Sequence, residues 1–132
     1  MSESIKTVLI VDDEVFIRQS LVDYFEDHLW RPLQAESGEL ALELLEEESP
    51  DGAVVDIRLR GMDGNAFICE AHRKKPKMAF VIYTGSPEYD VPADLLKLPG
   101  VSGHVFRKPV TDMAELEKDL LRLITNIEAK KA

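Results

Sequence analysis

The chain has 132 residues, enough to bury one sizeable core and too few for two. Hydrophobic residues at 45% and charged residues at 31% are typical of a globular protein and exclude a disordered one. The net charge of −9 argues against broad nucleic-acid binding, which needs a basic surface to displace counterions.

Hydrophobic periodicity predicts five strand-then-helix units with no internal linker. The predicted strands are 7–12, 32–36, 52–57, 78–84 and 104–107. The predicted helices are about 14–28, 37 to about 49, 65 to about 75, and 113–127, followed by a frayed end at 128–132. The segment 87–99 should be helical only in part, because Pro92 lacks a donor N–H and fits best in a first turn.

Three helices carry apolar residues at a spacing that predicts a buried face. In the first helix these are Ile17, Leu21, Phe25 and Leu29. In the second they are Leu40, Leu44 and Leu45. In the last they are Met113, Leu116, Leu120, Leu123, Ile124 and Ile127.

Alternating strands and helices predict an α/β fold, a parallel sheet covered by helices on both faces. The three most apolar strands should be central, and the strands that contain Pro32 and His104 should lie at the edges. The order 2-1-3-4-5 satisfies this, and it is that of the flavodoxin-like doubly wound fold. Ligands of such folds bind beyond the carboxyl ends of the strands where the strand order reverses, here between strands 1 and 3.

Cys69 is the only cysteine, so neither an internal disulfide nor a thiolate metal cluster is expected, and it should be a small buried thiol in the third helix. Residues 1–4 are acidic and do not resemble a signal peptide. No stretch approaches the roughly 20 apolar residues of a membrane span. We therefore expect a cytoplasmic protein that does not contact a membrane.

Four of the predicted strands stop on a residue that could carry chemistry. Asp12 and Asp13 end the first, Asp56 the third, Thr84 the fourth and Lys108 the fifth. Because the carboxyl ends of parallel strands lie at one edge of a sheet, these residues should meet in one pocket.

Each of these residues has an ordinary explanation when taken alone. Asp13 is a favoured helix N-cap, Asp56 suits a turn, Thr84 suits a strand, and Lys108 suits a solvated surface. Together with Asp12 they supply what phosphoryl transfer requires, which is positioning and neutralisation of oxygen charge. Crowded carboxylates call for a balancing cation, and Mg²⁺ prefers oxygen ligands.

We therefore expect Asp12 and Asp13 to hold Mg²⁺, which also touches Asp56 and the phosphoryl oxygens. Asp56 would be the phosphoacceptor, since a carboxylate can attack phosphorus once the charge of the electrophile is neutralised. Lys108 would pair with one phosphoryl oxygen, and Thr84 would donate to another.

The chain resembles the receiver domain of the two-component response-regulator family, of the single-domain chemotaxis-regulator type. The matching motifs span residues 5 to about 125 and are Val11-Asp12-Asp13-Glu14, Asp56 with Met62-Asp63-Gly64, Tyr83-Thr84-Gly85 and Lys108-Pro109. The resemblance implies a single domain over residues 1–132, with its core at about 5–127. It also implies that Asp56 accepts phosphate from a phosphohistidine of a sensor histidine kinase or phosphotransfer protein. The backbone carbonyl of Arg58 would complete the cation's ligands, and phosphate would shift the domain between two conformations.

The chain departs from the family at three positions. Arg60 stands where proline is usual, but we expect it to touch no chemistry. The Arg58 side chain lies beside the acceptor and could steer water or a partner. The switch of the family pairs a threonine, here Thr84, with an aromatic residue, but that position is Val105, and Phe106 should face the opposite side of the sheet. We therefore expect phosphate to act by ordering the segment 87–99.

Three functions remain open at this stage. The first is a phosphoacceptor switch, which can catalyse its own phosphorylation and dephosphorylation but is not otherwise an enzyme, and whose output is a protein contact or onward phosphotransfer. The second is a pseudo-receiver that binds a partner constitutively, for which Val105 is the best indication. The third, a flavodoxin-like electron carrier, is disfavoured because the acidic exit of strand 1 would repel a flavin phosphate. The chain could also be a fragment of a hybrid kinase or transcription regulator.

Overall fold

Strands and helices alternate throughout residues 5–130, the part of the chain that the computed structural model describes. The strands are β1 (Thr7–Val11), β2 (Arg31–Ala35), β3 (Gly52–Asp56), β4 (Ala79–Thr84) and β5 (Val101–Arg107). The helices are α1 (Val15–Asp27), α2 (Gly38–Leu44), α3 (Gly64–Lys74), α4 (Ala93–Leu96) and α5 (Met113–Lys130). Pro92 directly precedes the short α4, so segment 87–99 is helical only in part, as predicted.

The five strands form one parallel sheet in the order β2-β1-β3-β4-β5. The predicted flavodoxin-like α/β fold and strand order are therefore confirmed, with β2 and β5 at the edges. Asp56 at the end of β3 is directly opposite Tyr83 of β4, and Asp12 follows the last residue of β1. Strands β1, β3 and β4 thus place polar residues at the carboxyl end of the sheet.

Alternate strand residues pack into two separate cores, one on each face of the sheet. Val55 and Ile82 belong to the core beneath α2 and α3. Val81 and Tyr83 belong to the core beneath α1 and α5. This alternation directs Tyr83 and its successor Thr84 to opposite faces.

The start of α3 is shaped by its approach to the end of β3. Asp63 caps the helix by accepting the Ala66 N–H at 2.8 Å, and Gly64 donates its N–H to Ile57 O at 3.0 Å. A Cβ on Gly64 would lie 2.6 Å from Asp56 O and 2.7 Å from Ile57 Cα. Only glycine therefore lets the helix come this close to the backbone of Asp56.

Three predicted core residues face solvent. Leu29 lies beyond α1 with φ 68°, so the chain reverses there, and Trp30 fills the core beside Phe25 instead. Leu40 is exposed because the buried side of α2 is formed by Gly38 and Ala41. Cys69 is exposed because it lies on the outer side of α3.

Some predicted boundaries were also wrong. β5 begins at Val101 rather than at residue 104, and α2 ends at Leu44 rather than near residue 49. Residues 128–130 continue α5 rather than fray, while 131–132 lie outside the described residues. The predicted buried stripe of α5 is confirmed at Leu116, Leu120, Leu123 and Ile124, with Met113 and Ile127 partly buried. No helix within residues 5–130 combines the length and the apolarity needed to cross a bilayer.

Candidate functional site

The three predicted carboxylates converge at the carboxyl edge of the sheet. Asp12, Asp13 and Asp56 each present an oxygen within 4.8 Å of the others. Asp12 and Asp56 are buried, whereas Asp13 is partly exposed. Two buried carboxylates beside a third form an all-oxygen donor set with one open side, which fits a hard cation such as Mg²⁺.

Asp12 is fully buried and has partners on both oxygens. Its Oδ1 accepts the Glu14 N–H at 2.8 Å. Its Oδ2 accepts Lys108 Nζ at 3.1 Å and also the Tyr83 hydroxyl. These donors compensate the desolvation of the buried charge.

Lys108 is the cation around which the carboxylates gather. Its Nζ lies 3.1 Å from Asp12 Oδ2, 3.0 Å from Glu14 Oε1 and 3.0 Å from Asp56 Oδ2. Burial alone would lower the pKa of Lys108, but hydrogen bonds to Asp56 and Glu14 and the charge of Asp12 raise it on balance. The three donors of the ammonium group are therefore all engaged by carboxylates.

Within residues 5–130, Asp56 accepts one side-chain donor and one local backbone N–H. Lys108 bonds its Oδ2, and the Arg58 N–H donates to its Oδ1 at 3.0 Å. Burial raises the pKa of Asp56; the bonds from Lys108 and the Arg58 N–H oppose this, and the nearby charge of Asp12 adds to it. The raised pKa means that the folded protein destabilises the ionised carboxylate of Asp56, as expected for a charge that a bound cation would balance.

The loop after β3 brings an arginine to the open side of the site. Arg60 Nε lies 3.8 Å from Asp13 Oδ2, although its side chain is 94% exposed. The expectation that Arg60 touches none of the predicted chemistry is therefore wrong. Such an exposed ion pair contributes little stability, but it places an exposed positive charge beside a predicted cation ligand. The Arg58 side chain is exposed, and the role of its carbonyl as a ligand remains a prediction.

Thr84 lies at the same end of the sheet, but it makes no hydrogen bond to the carboxylates within the described residues. It is fully buried, and its Oγ1 accepts the Ser86 N–H at 3.1 Å. The hydroxyl hydrogen of Thr84 remains free to donate. Val105 packs against the α2–α3 core, whereas Phe106 packs against the opposite core, as strand alternation predicted.

The segment after Thr84 is tied to β5 by an arginine. Arg107 Nη1 donates to Ser86 O at 2.6 Å, and its Nη2 donates to Tyr89 O at 2.9 Å. The Tyr89 hydroxyl donates to Asn65 Oδ1 of α3 at 2.6 Å. These bonds hold the start of segment 87–99, which carries little helix of its own.

Sequence reasoning missed three participants: Tyr83, Glu14 and Arg107. Strand alternation could have indicated Tyr83, since it lies opposite Asp56 and two residues after buried Val81. Glu14 was read only as part of a motif, because the reach of its side chain to Lys108 does not follow from spacing. Nothing in the sequence indicated the bonds from Arg107 to the loop backbone.

Comparison with known proteins identifies relatives over most of the chain. The family model described as the response regulator receiver domain matches residues 8–120. The chain is 30% identical over 121 residues to sporulation initiation phosphotransferase F of Bacillus subtilis, covering 90% of this chain and 96% of that protein. It is 32% identical over 85 residues to a cyclic di-GMP phosphodiesterase of Thermotoga maritima, covering 64% of this chain but only 23% of that protein.

A solved structure of similar size has the same fold. It is a CheY-like response regulator receiver domain protein from Methanospirillum hungatei, with a TM-score of 0.81 and 27% identity. The match covers 96% of this chain and 99% of that one. Several other curated relatives are much longer than the region matched, the chain spanning 20–34% of their length.

Proposed function

The chain belongs to the response regulator receiver domain family, and from this membership we propose that it is a phosphorylation-dependent switch whose acceptor is Asp56. The observation that carries the proposal is the convergence of three carboxylates within 4.8 Å of one another, with Lys108 Nζ 3.0 Å from Asp56. Asp12 accepts two side-chain donors, Lys108 and Tyr83, whereas Asp56 accepts Lys108 alone among the described residues, so Asp56 is the buried carboxylate better placed to act as nucleophile.

The proposed reaction moves a phosphoryl group from a phosphohistidine of a histidine kinase or phosphotransfer protein. An Asp56 oxygen attacks phosphorus, a P–O bond forms and the P–N bond of the donor breaks. The bonding pair stays on the imidazole nitrogen, and because the other ring nitrogen of the phosphohistidine carries a proton, the leaving group is neutral imidazole. The product is an acyl phosphate, and the charge on the three equatorial oxygens of the transition state needs compensation during transfer.

The residues around Asp56 divide this task. Lys108 pairs with one phosphoryl oxygen, exchanging a carboxylate partner for it. Thr84 donates its free hydroxyl hydrogen to a second oxygen. Asp12, Asp13, Asp56 and the Arg58 carbonyl would hold Mg²⁺, which neutralises oxygen charge during transfer.

We infer that the signal leaves the site through the start of segment 87–99. Thr84 is bonded to Ser86 N–H, and Arg107 holds Ser86 and Tyr89 through their carbonyls. A Thr84 hydroxyl drawn to phosphate would alter the bond to Ser86 and so loosen or reset the contacts of Arg107. This route needs no aromatic residue at Val105. The output would be a contact with a protein in the cytoplasm or onward phosphotransfer.

Intact-protein mass spectrometry after exposure to a small phosphodonor with Mg²⁺ tests the proposal. The wild type should gain one phosphate, and Asp56→Asn should gain none. Asp51→Asn is the matched control, because Asp51 lies just before β3, at the end of the strand opposite to Asp56. The Asp51→Asn variant should take up phosphate as the wild type does. A wild type that takes up no phosphate would favour the constitutive binding module instead.

A further inference from the structure

Tyr83 is a buried phenol inside the carboxylate cluster for which the transfer reaction described above gives no role. It is fully buried and lies opposite Asp56 in the pairing of β3 with β4. A tyrosine hydroxyl carries its proton at neutral pH, and this one is hydrogen-bonded to Asp12 Oδ2. It is therefore a hydrogen-bond donor at neutral pH.

The phenol determines which oxygen of Asp12 is available. Tyr83 and Lys108 both donate to Oδ2, which uses the two lone pairs of that oxygen. Among the described residues, Oδ1 accepts the Glu14 N–H alone and keeps one lone pair free. The Asp12 carboxylate is thus held with Oδ1 as the oxygen that can face a cation or its water.

The ring of the same tyrosine also contacts the ammonium group. Lys108 Nζ lies 4.8 Å from the ring centroid, within the range of a cation–π contact. One side chain therefore touches both the buried carboxylate and the lysine of the site. A phenylalanine would keep the ring contact and the packing but would lose the bond to Asp12.

We propose that Tyr83 is a positioning residue that orients Asp12 and thereby sets the affinity of the site for a divalent cation. The inference rests on the proposed function, since it concerns the same cation site. Donors to the non-ligating oxygen of a ligand carboxylate fix its orientation, and losing one typically lowers metal affinity or activity by 10–100-fold. The competing explanation is that Tyr83 only fills the core beneath α1 and α5.

Binding of Mn²⁺, which shares the preference of Mg²⁺ for carboxylate and water ligands, can be measured by EPR of the free ion. Tyr83→Phe should weaken binding about tenfold. Tyr24→Phe is the matched control, because the Tyr24 hydroxyl also donates to a carboxylate, Glu117 at 2.7 Å, but far from the site. It should bind Mn²⁺ as the wild type does.

A double-mutant cycle separates positioning from a general structural effect. If Tyr83 acts through Asp12, adding Tyr83→Phe to Asp12→Asn should cause no further loss of affinity. A further tenfold loss in that background would overturn the inference. The inference would also be overturned if Tyr83→Phe bound Mn²⁺ with wild-type affinity while Asp13→Asn lost binding. In that case the proposed cation site would still be supported. If Asp13→Asn also binds as the wild type does, the cation site itself fails, and this inference with it.

A second test follows Mg²⁺ binding in the wild-type protein and uses Tyr83→Phe only to assign a resonance. The chain has three tyrosines, so ¹³Cζ-tyrosine labelling gives three resonances. The resonance that Tyr83→Phe removes should shift on addition of Mg²⁺, and those of Tyr24 and Tyr89 should not. An unmoved Tyr83 resonance at saturating Mg²⁺ would refute the positioning role.

Discussion

Replacing Asp56 by asparagine should stabilise the protein when no divalent cation is present. Asp56 is 2% exposed, and its carboxylate lies within 4.8 Å of oxygens of Asp12 and Asp13. Asparagine keeps the Oδ1 that accepts the Arg58 N–H but removes the negative charge. Lys108 retains Asp12 and Glu14 as partners in the variant.

The distances indicate the size of the effect. At an effective dielectric constant of about 20, taking the upper bound of 4.8 Å as the separation gives a repulsion of about 3.5 kcal/mol between Asp56 and each of Asp12 and Asp13. The attraction to Lys108 at 3.0 Å gives about 5.5 kcal/mol on the same scale. The net cost of the charge is therefore about 1.5 kcal/mol, which predicts a rise in melting temperature of about 5 °C in Asp56→Asn.

The pH dependence has a defined sign. Because the folded pKa of Asp56 is raised, wild-type stability from this group is full below the unfolded value of 3.8 and is lost as the pH rises through the raised pKa. Asp56→Asn lacks the titrating carboxyl group, so its stability does not fall with this ionisation. The advantage of the variant should therefore be largest near pH 7 and should disappear near pH 4.

Thermal unfolding followed by circular dichroism in EDTA, from pH 4 to 8, measures this directly. Asp51→Asn removes a carboxylate that accepts the Thr7 N–H and should give no rise in melting temperature. Saturating Mg²⁺ should reduce or reverse the difference in melting temperature, since the wild type binds the cation with one more carboxylate, that of Asp56. A melting temperature of Asp56→Asn equal to or below that of the wild type at pH 7 in EDTA would refute the electrostatic reasoning.

Three further changes test other parts of the site and its support. Glu14→Ala frees one donor of Lys108 for a phosphoryl oxygen, so the rate of uptake from a small phosphodonor should rise severalfold in mass-spectrometric time courses; an unchanged rate would contradict the competition. Arg107→Ala removes both bonds to the loop carbonyls, so hydrogen exchange over 86–91 should speed up without phosphate, while unchanged exchange would exclude Arg107 as its anchor. Glu117→Gln replaces the charge-assisted hydrogen bonds from Tyr24 and Trp30 with neutral ones and should cost about 1–2 kcal/mol in urea unfolding followed by the fluorescence of the single tryptophan.

The order of the sheet could be predicted because strand composition reports burial on both faces. The strands that became β1, β3 and β4 read as near-continuous apolar runs, and such runs are stable only in the centre of a parallel sheet. Pro32 and His104 marked the two edges for the same reason, since an edge tolerates a missing donor or a polar side chain.

Helix faces were predicted less well because the phase of a helix changes by about 100° at each residue. Leu40 is next to the buried Ala41, and this one-residue error moves a side chain from core to solvent. Leu29 fitted a four-residue repeat, but the chain had already left α1 and turned through a positive φ. Cys69 lies one position after buried Ile68, and its hydrophobic character could not show which side of α3 it would occupy.

At the site, topology determines which residues meet, and side-chain reach determines how they share their bonds. The convergence of Asp12, Asp56 and Lys108 follows from strand ends alone. The division of the three Lys108 donors among Asp12, Glu14 and Asp56 does not, because a lysine stem can turn to any of several acceptors. That division has a physical consequence: an ammonium group saturated by carboxylates must give one up before it can hold a phosphoryl oxygen. Glu14 is the exposed partner, with its side chain 59% exposed, and is therefore the one released at least cost.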